Sequence, residues 1–124
     1  MEDYGTVSGH TGRKRLLIEH GSDILVCRVS EICCIHTEHG YTKVLLSDGS
    51  WGVTEKSLAE LETELNPDEF FRVNRQTIVN IDRIRKISPT DGRDSAVSLT
   101  VPWSDLSFVI TAERKKELLR ILDC

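Results

Sequence analysis

Downstream of Arg13 the sequence breaks into short apolar runs separated by turn residues. RLLIEH (15–20), DILVCRV (23–29), EICCIHTE (31–38), YTKVLLS (41–47) and SWGVTE (50–55) are rich in aliphatic and β-branched residues and read as strands. The punctuation between them is His20-Gly21-Ser22-Asp23, His39-Gly40 and Ser47-Asp48-Gly49-Ser50. An Asp-Gly between two such runs is a hairpin signal, because tight hairpin turns need positive φ and these residues tolerate it. The pattern therefore predicts a meander of antiparallel strands.

At SLAELETEL (57–65) the period changes. Leu58, Leu61 and Leu65 fall on one helical face, with Ser57 or Thr54 placed to cap the N-terminus. Asn66-Pro67-Asp68 ends that helix. Strand-like runs resume at RIRKIS (83–88), SAVSLTV (95–101) and LSFVI (106–110), with PTDGRD a polar turn and Pro102 and Trp103 separating the last two. The closing TAERKKELLRILDC predicts a second helix, capped by Thr111, with Leu118, Leu119 and Leu122 as its apolar stripe. About nine strands and two short helices predict a mostly β domain. MEDYGTVSGHTG (1–12) has no apolar period and reads as a linker or cloning remnant ahead of a domain at 13–124.

Composition changes this picture little. A chain of 124 residues, 39% hydrophobic and 29% charged, is one globular domain with enough length for its own core. No apolar run is long enough to span a bilayer and the N-terminus is unlike a signal peptide, so a cytoplasmic location without membrane contact is expected. Cys27, Cys33, Cys34 and Cys124 lack paired CxxC spacing, which predicts free thiols.

Charge is more informative. The net charge is -4, a mild argument against a nucleic-acid partner, but its distribution is uneven. Residues 54–69 carry six acids against Lys56, or -5, and residues 70–86 carry five basic residues against Asp82, or +4. Such polarity suits one anion-facing surface and one solvated face, or charges that only solubilise the surface and pair with one another.

No glycine-rich phosphate loop, GxSxG or HExxH occurs, so neither enzymatic activity nor a cofactor is expected. Cys33, Cys34, His36 and His39 could ligate zinc or copper; the alternative is a core strand with buried thiols, and the loose spacing favours it, so no metal is assigned. In FFRVNRQTIVNIDRIRKIS (70–88), Phe70 and Phe71 on one side and Ile78, Val79, Ile81 and Ile84 on the other anchor a polar RVNRQT. Its Arg72, Asn74, Arg75 and Gln76 are the side-chain types that read base edges, Arg at guanine and Asn or Gln at adenine. The alternative is a polar loop making surface ion pairs.

FFRVNRQTIVNIDRI resembles the signature of the LytTR family of DNA-binding domains, Phe-x-Arg-Val-His-Arg-Ser-Tyr-(Ile/Leu)-Val-Asn-x-x-x-Ile. Phe71, Val73, Arg75, Val79, Asn80 and Ile84 match in type and spacing. The segments ILVCRVSEICCIHTEHGYTKVLLSDGS, TEKSLAELETEL and FVITAERKKELLRIL are similar to the family's upstream half, preceding helix and terminal strand and helix, so the resemblance runs from about Arg13 to Leu122.

The resemblance implies a mostly antiparallel β domain that binds duplex DNA through loops. Members usually form the output half of bacterial two-component response regulators and bind direct repeats, which implies a receiver or sensor domain as partner and allows self-association on DNA. It places Thr42 and Lys43 at the DNA from one loop, Asn74 and Arg75 from the signature loop, and Arg114, Lys115 and Lys116 from the terminal turn. Arg72 joins the expected phosphate contacts, and Asn80 is implied to be structural. Many members read Val-Ser-Arg-Arg-Tyr at the terminal turn where this chain has Ile110-Thr111-Ala112-Glu113-Arg114, and Ala112 offers no polar contact. The rival reading is a protein-protein interaction module of the same fold.

Overall fold

A computed structural model describes residues 12–101 and 106–123. The segment 1–11, with Pro102, Trp103 and Cys124, lies outside the described residues. In chain order the strands are β1 (Arg15–His20), β2 (Asp23–Arg28), β3 (Ile32–Glu38), β4 (Tyr41–Leu46) and β5 (Trp51–Thr54), then helix α1 (Leu58–Glu64). They continue with β6 (Phe70–Asn74), β7 (Thr77–Asn80), β8 (Ile84–Pro89), β9 (Ser95–Leu99) and β10 (Leu106–Ile110), and helix α2 (Ala112–Leu122) closes the fold. The expected antiparallel, mostly β architecture is what forms.

The expected meander forms only over β3, β4 and β5; it breaks between β2 and β3, because the β1–β2 hairpin docks through β1 on β5. His39 and Gly40 both have positive φ, 51° and 81°, and close a two-residue hairpin between β3 and β4. Gly52 in β5 is required for a different reason: a Cβ there would stand 2.8 Å from the Glu19 carbonyl oxygen, so only glycine lets β1 approach β5.

The strands form a seven-stranded sheet, ordered β2-β1-β5-β4-β3-β7-β6, and a three-stranded sheet, β10-β9-β8. The large sheet has apolar residues on both faces. One face joins Leu16, Ile18, Ile35, Val44 and Ile78 to Leu58, Leu61 and Leu65 of the α1 segment. The other joins Cys34, Phe71, Val73 and Val79 to Val97, Leu99 and Ile110 of the small sheet and Leu118 of α2. Because side chains alternate along a strand, β3 sends Ile35 to one core and Cys34 to the other.

Both helices are locally encoded. Ser57 accepts from the Glu60 amide while Glu60 accepts from the Ser57 amide, a reciprocal cap, and Thr111 accepts from the Arg114 amide. The expected stripe on α2 needs correction. Leu118 is buried and Ile121 half-buried, whereas Leu119 and Leu122 are 44% and 43% exposed. The helix is seated on Arg114, Leu118 and Ile121, a face shifted toward Phe71.

The expected RVNRQT loop also needs correction. Residues 70–80 form a β hairpin whose connection is only Arg75-Gln76, and Arg72 and Val73 belong to strand.

Candidate nucleic-acid interface

The β6–β7 turn is fixed at each of its residues. Pairing shifts register between Arg72 and Asn74, leaving Val73 as a bulge, so Asn74 pairs with Thr77 and faces the small sheet. Its Nδ2 donates to the Val109 carbonyl of β10 at 2.7 Å, and its Oδ1 accepts from the Gln76 amide at 2.8 Å. The Gln76 carbonyl accepts from the Thr37 amide at 2.9 Å. Arg72 Nη2 donates to the Arg75 carbonyl at 2.8 Å. From this immobilised turn the Arg75 and Gln76 side chains are exposed, and Arg75 makes no side-chain ion pair among the described residues. Concave surface flanks Arg75 on both sides, with Thr111 at the head of α2 lining each.

The remaining expected contact residues divide sharply. Arg72 also donates to Glu62 of α1 at 3.0 Å, and its Nε is buried without a partner among the described residues. Arg114 lies over the Phe71 ring at 4.4 Å, donates through Nε to the Arg72 carbonyl at 3.0 Å and pairs with Glu117 at 2.8 Å. Both arginines, and the Asn74 amide, are thus employed inside the protein. Thr42 is buried on the α1 face of β4, paired with Thr37 and Thr54. Lys43, its neighbour, points to the opposite face with Nζ 4.5 Å from the centre of the Trp51 ring. Adjacent strand residues cannot present both side chains to one partner from the sheet surface. Lys115 is half-buried and Lys116 exposed on the first turns of α2.

The basic stretch 70–86 is not one patch. Arg72 and Arg75 belong to the hairpin of the large sheet, whereas Arg85 and Lys86 are exposed on β8 of the small one. Asn80 is structural: buried, it donates to the Ile32 carbonyl at 2.8 Å and accepts from the Asp82 amide at 2.9 Å.

The model of the LytTr DNA-binding domain family matches residues 22–123. The chain belongs to the LytTr family. Among curated relatives it is 30% identical over 82 residues to the sensory transduction protein LytT of Bacillus subtilis (strain 168). That match takes in 66% of this chain and 34% of the relative, so the chain spans about a third of the longer protein. A solved LytTr DNA-binding domain from Bacillus cereus superposes with a TM-score of 0.79 at 19% identity, covering 91% of this chain and 100% of that one. That likeness shows that the LytTr fold is shared.

Elsewhere in this LytTr fold, Cys33, Cys34 and His36 lie on β3, and no group of three His, Cys, Asp or Glu side chains able to hold a metal gathers among the described residues. His36 instead shares a 2.8 Å hydrogen bond with Thr77 and stacks on Phe108 at 5.4 Å, linking the two sheets. Burial pushes the Cys34 thiol up to about 12. Among the described residues no helix is long and apolar enough to cross a membrane. Gln76, which the resemblance does not place at DNA, is marked in the sequence only by its residue type, and the structure sets it beside Arg75 in the two-residue turn.

Proposed function

We propose that this LytTr domain binds duplex DNA in a sequence-specific manner, as the cytoplasmic output module of a bacterial two-component transcriptional regulator. Residues 1–12 serve as a linker to a receiver or sensor partner, and the domain acts on direct repeats where copies associate on DNA. It has no catalytic role. The observation that carries the reading is the β6–β7 turn: an exposed arginine on a backbone held by Arg72, Asn74 and the Thr37 amide. Preorganised donors lose less entropy on binding, so such a turn suits base recognition.

Arg75 reads a base edge in the major groove, with Gln76 beside it. Lys43, Lys115 and Lys116 neutralise phosphates. Arg72, Asn74 and Arg114 act behind them by holding the turn. The test is selection from a random duplex library at moderate salt, followed by fluorescence anisotropy on the enriched and scrambled duplexes. Enrichment of a short motif is expected, with Arg75→Ala removing about 1 to 3 kcal/mol of discrimination at one base pair. Equal binding of enriched and scrambled duplexes by the unaltered protein overturns the reading.

A protein-protein interaction module is the second reading. The ion pairs Arg72–Glu62 and Arg114–Glu117 favour it, since they neutralise two of the cations that a phosphate backbone would use. Failure to bind heparin at low salt supports that alternative.

A further inference from the structure

We infer that Glu62, an acidic residue on α1, is a positioning residue for DNA recognition, setting the aim of Arg75 through Arg72. The inference rests on the reading above that Arg75 contacts a base. Glu62 sits in the acidic run 54–69, where charge counting assigns it only solubility or repulsion from phosphate. Its geometry says otherwise. Glu62 Oε1 accepts from Arg72 Nη1 at 3.0 Å, and the other nitrogen of the same fork, Nη2, donates to the Arg75 carbonyl at 2.8 Å. Arg72 Nε is buried without a partner among the described residues, so the two Nη contacts are the hydrogen bonds that orient the guanidinium. A planar fork held at one prong by a carboxylate places the other prong in a fixed direction.

From the opposite side Arg114 grips the same strand, donating to the Arg72 carbonyl at 3.0 Å while Glu117 holds its own fork at 2.8 Å. Two acid-arginine pairs, one from each helix, thus bracket β6 next to the turn. Removing Glu62 frees the Arg72 fork to turn toward solvent or a phosphate, and the Arg75 backbone loses its tether.

Electrostatics and positioning predict effects of Glu62→Gln on two different readouts. Loss of an acid near the DNA strengthens non-specific binding, and a freed Arg72 steepens the salt dependence by up to about one unit of slope. Loss of positioning instead lowers the ratio of affinities for the enriched duplex and its mismatch at the Arg75 base pair, by about tenfold. Both shifts together are the expected result. Arg72→Lys, which keeps the charge but loses the fork, lowers the ratio likewise. In the otherwise unaltered protein Glu62→Gln leaves the ratios at base pairs away from the Arg75 position unchanged, a result that a general loosening of the domain does not produce.

An unchanged ratio in Glu62→Gln, with Arg75→Ala still abolishing discrimination, overturns this inference and leaves Arg75 as the base reader. Absence of discrimination in the unaltered protein overturns both. The exposed ion pair contributes little to stability, so the variants are expected to fold, and thermal unfolding of each confirms it.

Discussion

Asn74 Nδ2 donates to the carbonyl of Val109 at 2.7 Å, joining residues 35 positions apart and fastening the β6–β7 turn of the large sheet to β10 of the small one. The contact exists because the bulge at Val73 turns Asn74 toward the small sheet. Asn74→Ala removes this hydrogen bond and the one accepted from the Gln76 amide, together worth about 2 kcal/mol, and lowers the melting temperature by about 8 °C. Discrimination between the enriched duplex and its mismatches falls more than stability does. Anisotropy and thermal melts on the same preparation separate the two effects.

Asn80 gives the converse case. Replacement by alanine leaves the Ile32 carbonyl and the Asp82 amide without their partner, a loss of about 2 to 3 kcal/mol. Urea unfolding registers the loss, while the folded fraction retains its duplex preference, because Asn80 acts on the far side of β7 from the turn.

Lys115 and Lys43 carry charge without base recognition in this scheme. Alanine at either position weakens enriched and scrambled duplexes alike and reduces the slope of log affinity against log salt by about one. A selective loss at one base pair contradicts the assignment.

Leu118 and Leu119 are neighbours on α2 with opposite environments, 0% and 44% exposed. Leu118→Ala costs about 2 to 5 kcal/mol, the ordinary range for emptying a core position, and Leu119→Ala about 0.5 or less. Chemical denaturation of the pair checks the revised helix face.

Cys34 titrates against the fold at high pH. Desolvation by burial raises its thiol to about 12, the Cys33 thiol adds to the shift, and Lys43 opposes it. In the unfolded chain the group ionises near its ordinary value of 9.0. Its contribution is therefore complete below about pH 9 and is lost as pH rises toward the folded value. The urea midpoint falls above about pH 9, and it falls less steeply in Cys34→Ala.

Local chemistry made much of this legible in the sequence. The hairpin at His39-Gly40, the cap at Ser57 and the apolar positions of α1 depend on neighbours within a few residues, and each forms where the pattern predicts. What the pattern hid depends on distant partners. β6 was obscured because Arg72 and Asn74, which interrupt its apolar pattern, are satisfied by Glu62 and by Val109 of β10. On α2 the leucines at 119 and 122 look equivalent to Leu118, and the cluster of Phe71, Val97, Leu99 and Ile110 that receives Leu118, from distant parts of the chain, decides which face is seated. Residue type identified the candidate interface, but that Arg75 is exposed while Arg72, Asn74 and Arg114 are half-buried and engaged by partners within the domain is a property of the folded geometry.

Because β3 supplies Ile35 to one core and Cys34 to the other, a single wall of backbone separates and supports two apolar compartments. Neither compartment has a boundary of its own. Cutting the chain after β7 would leave Cys34, Val73 and Val79 facing water, and cutting before it would leave the small sheet and α2 without a floor. The domain is therefore expected to unfold in one cooperative transition, the strands on either side of the β6–β7 turn melting together with both compartments.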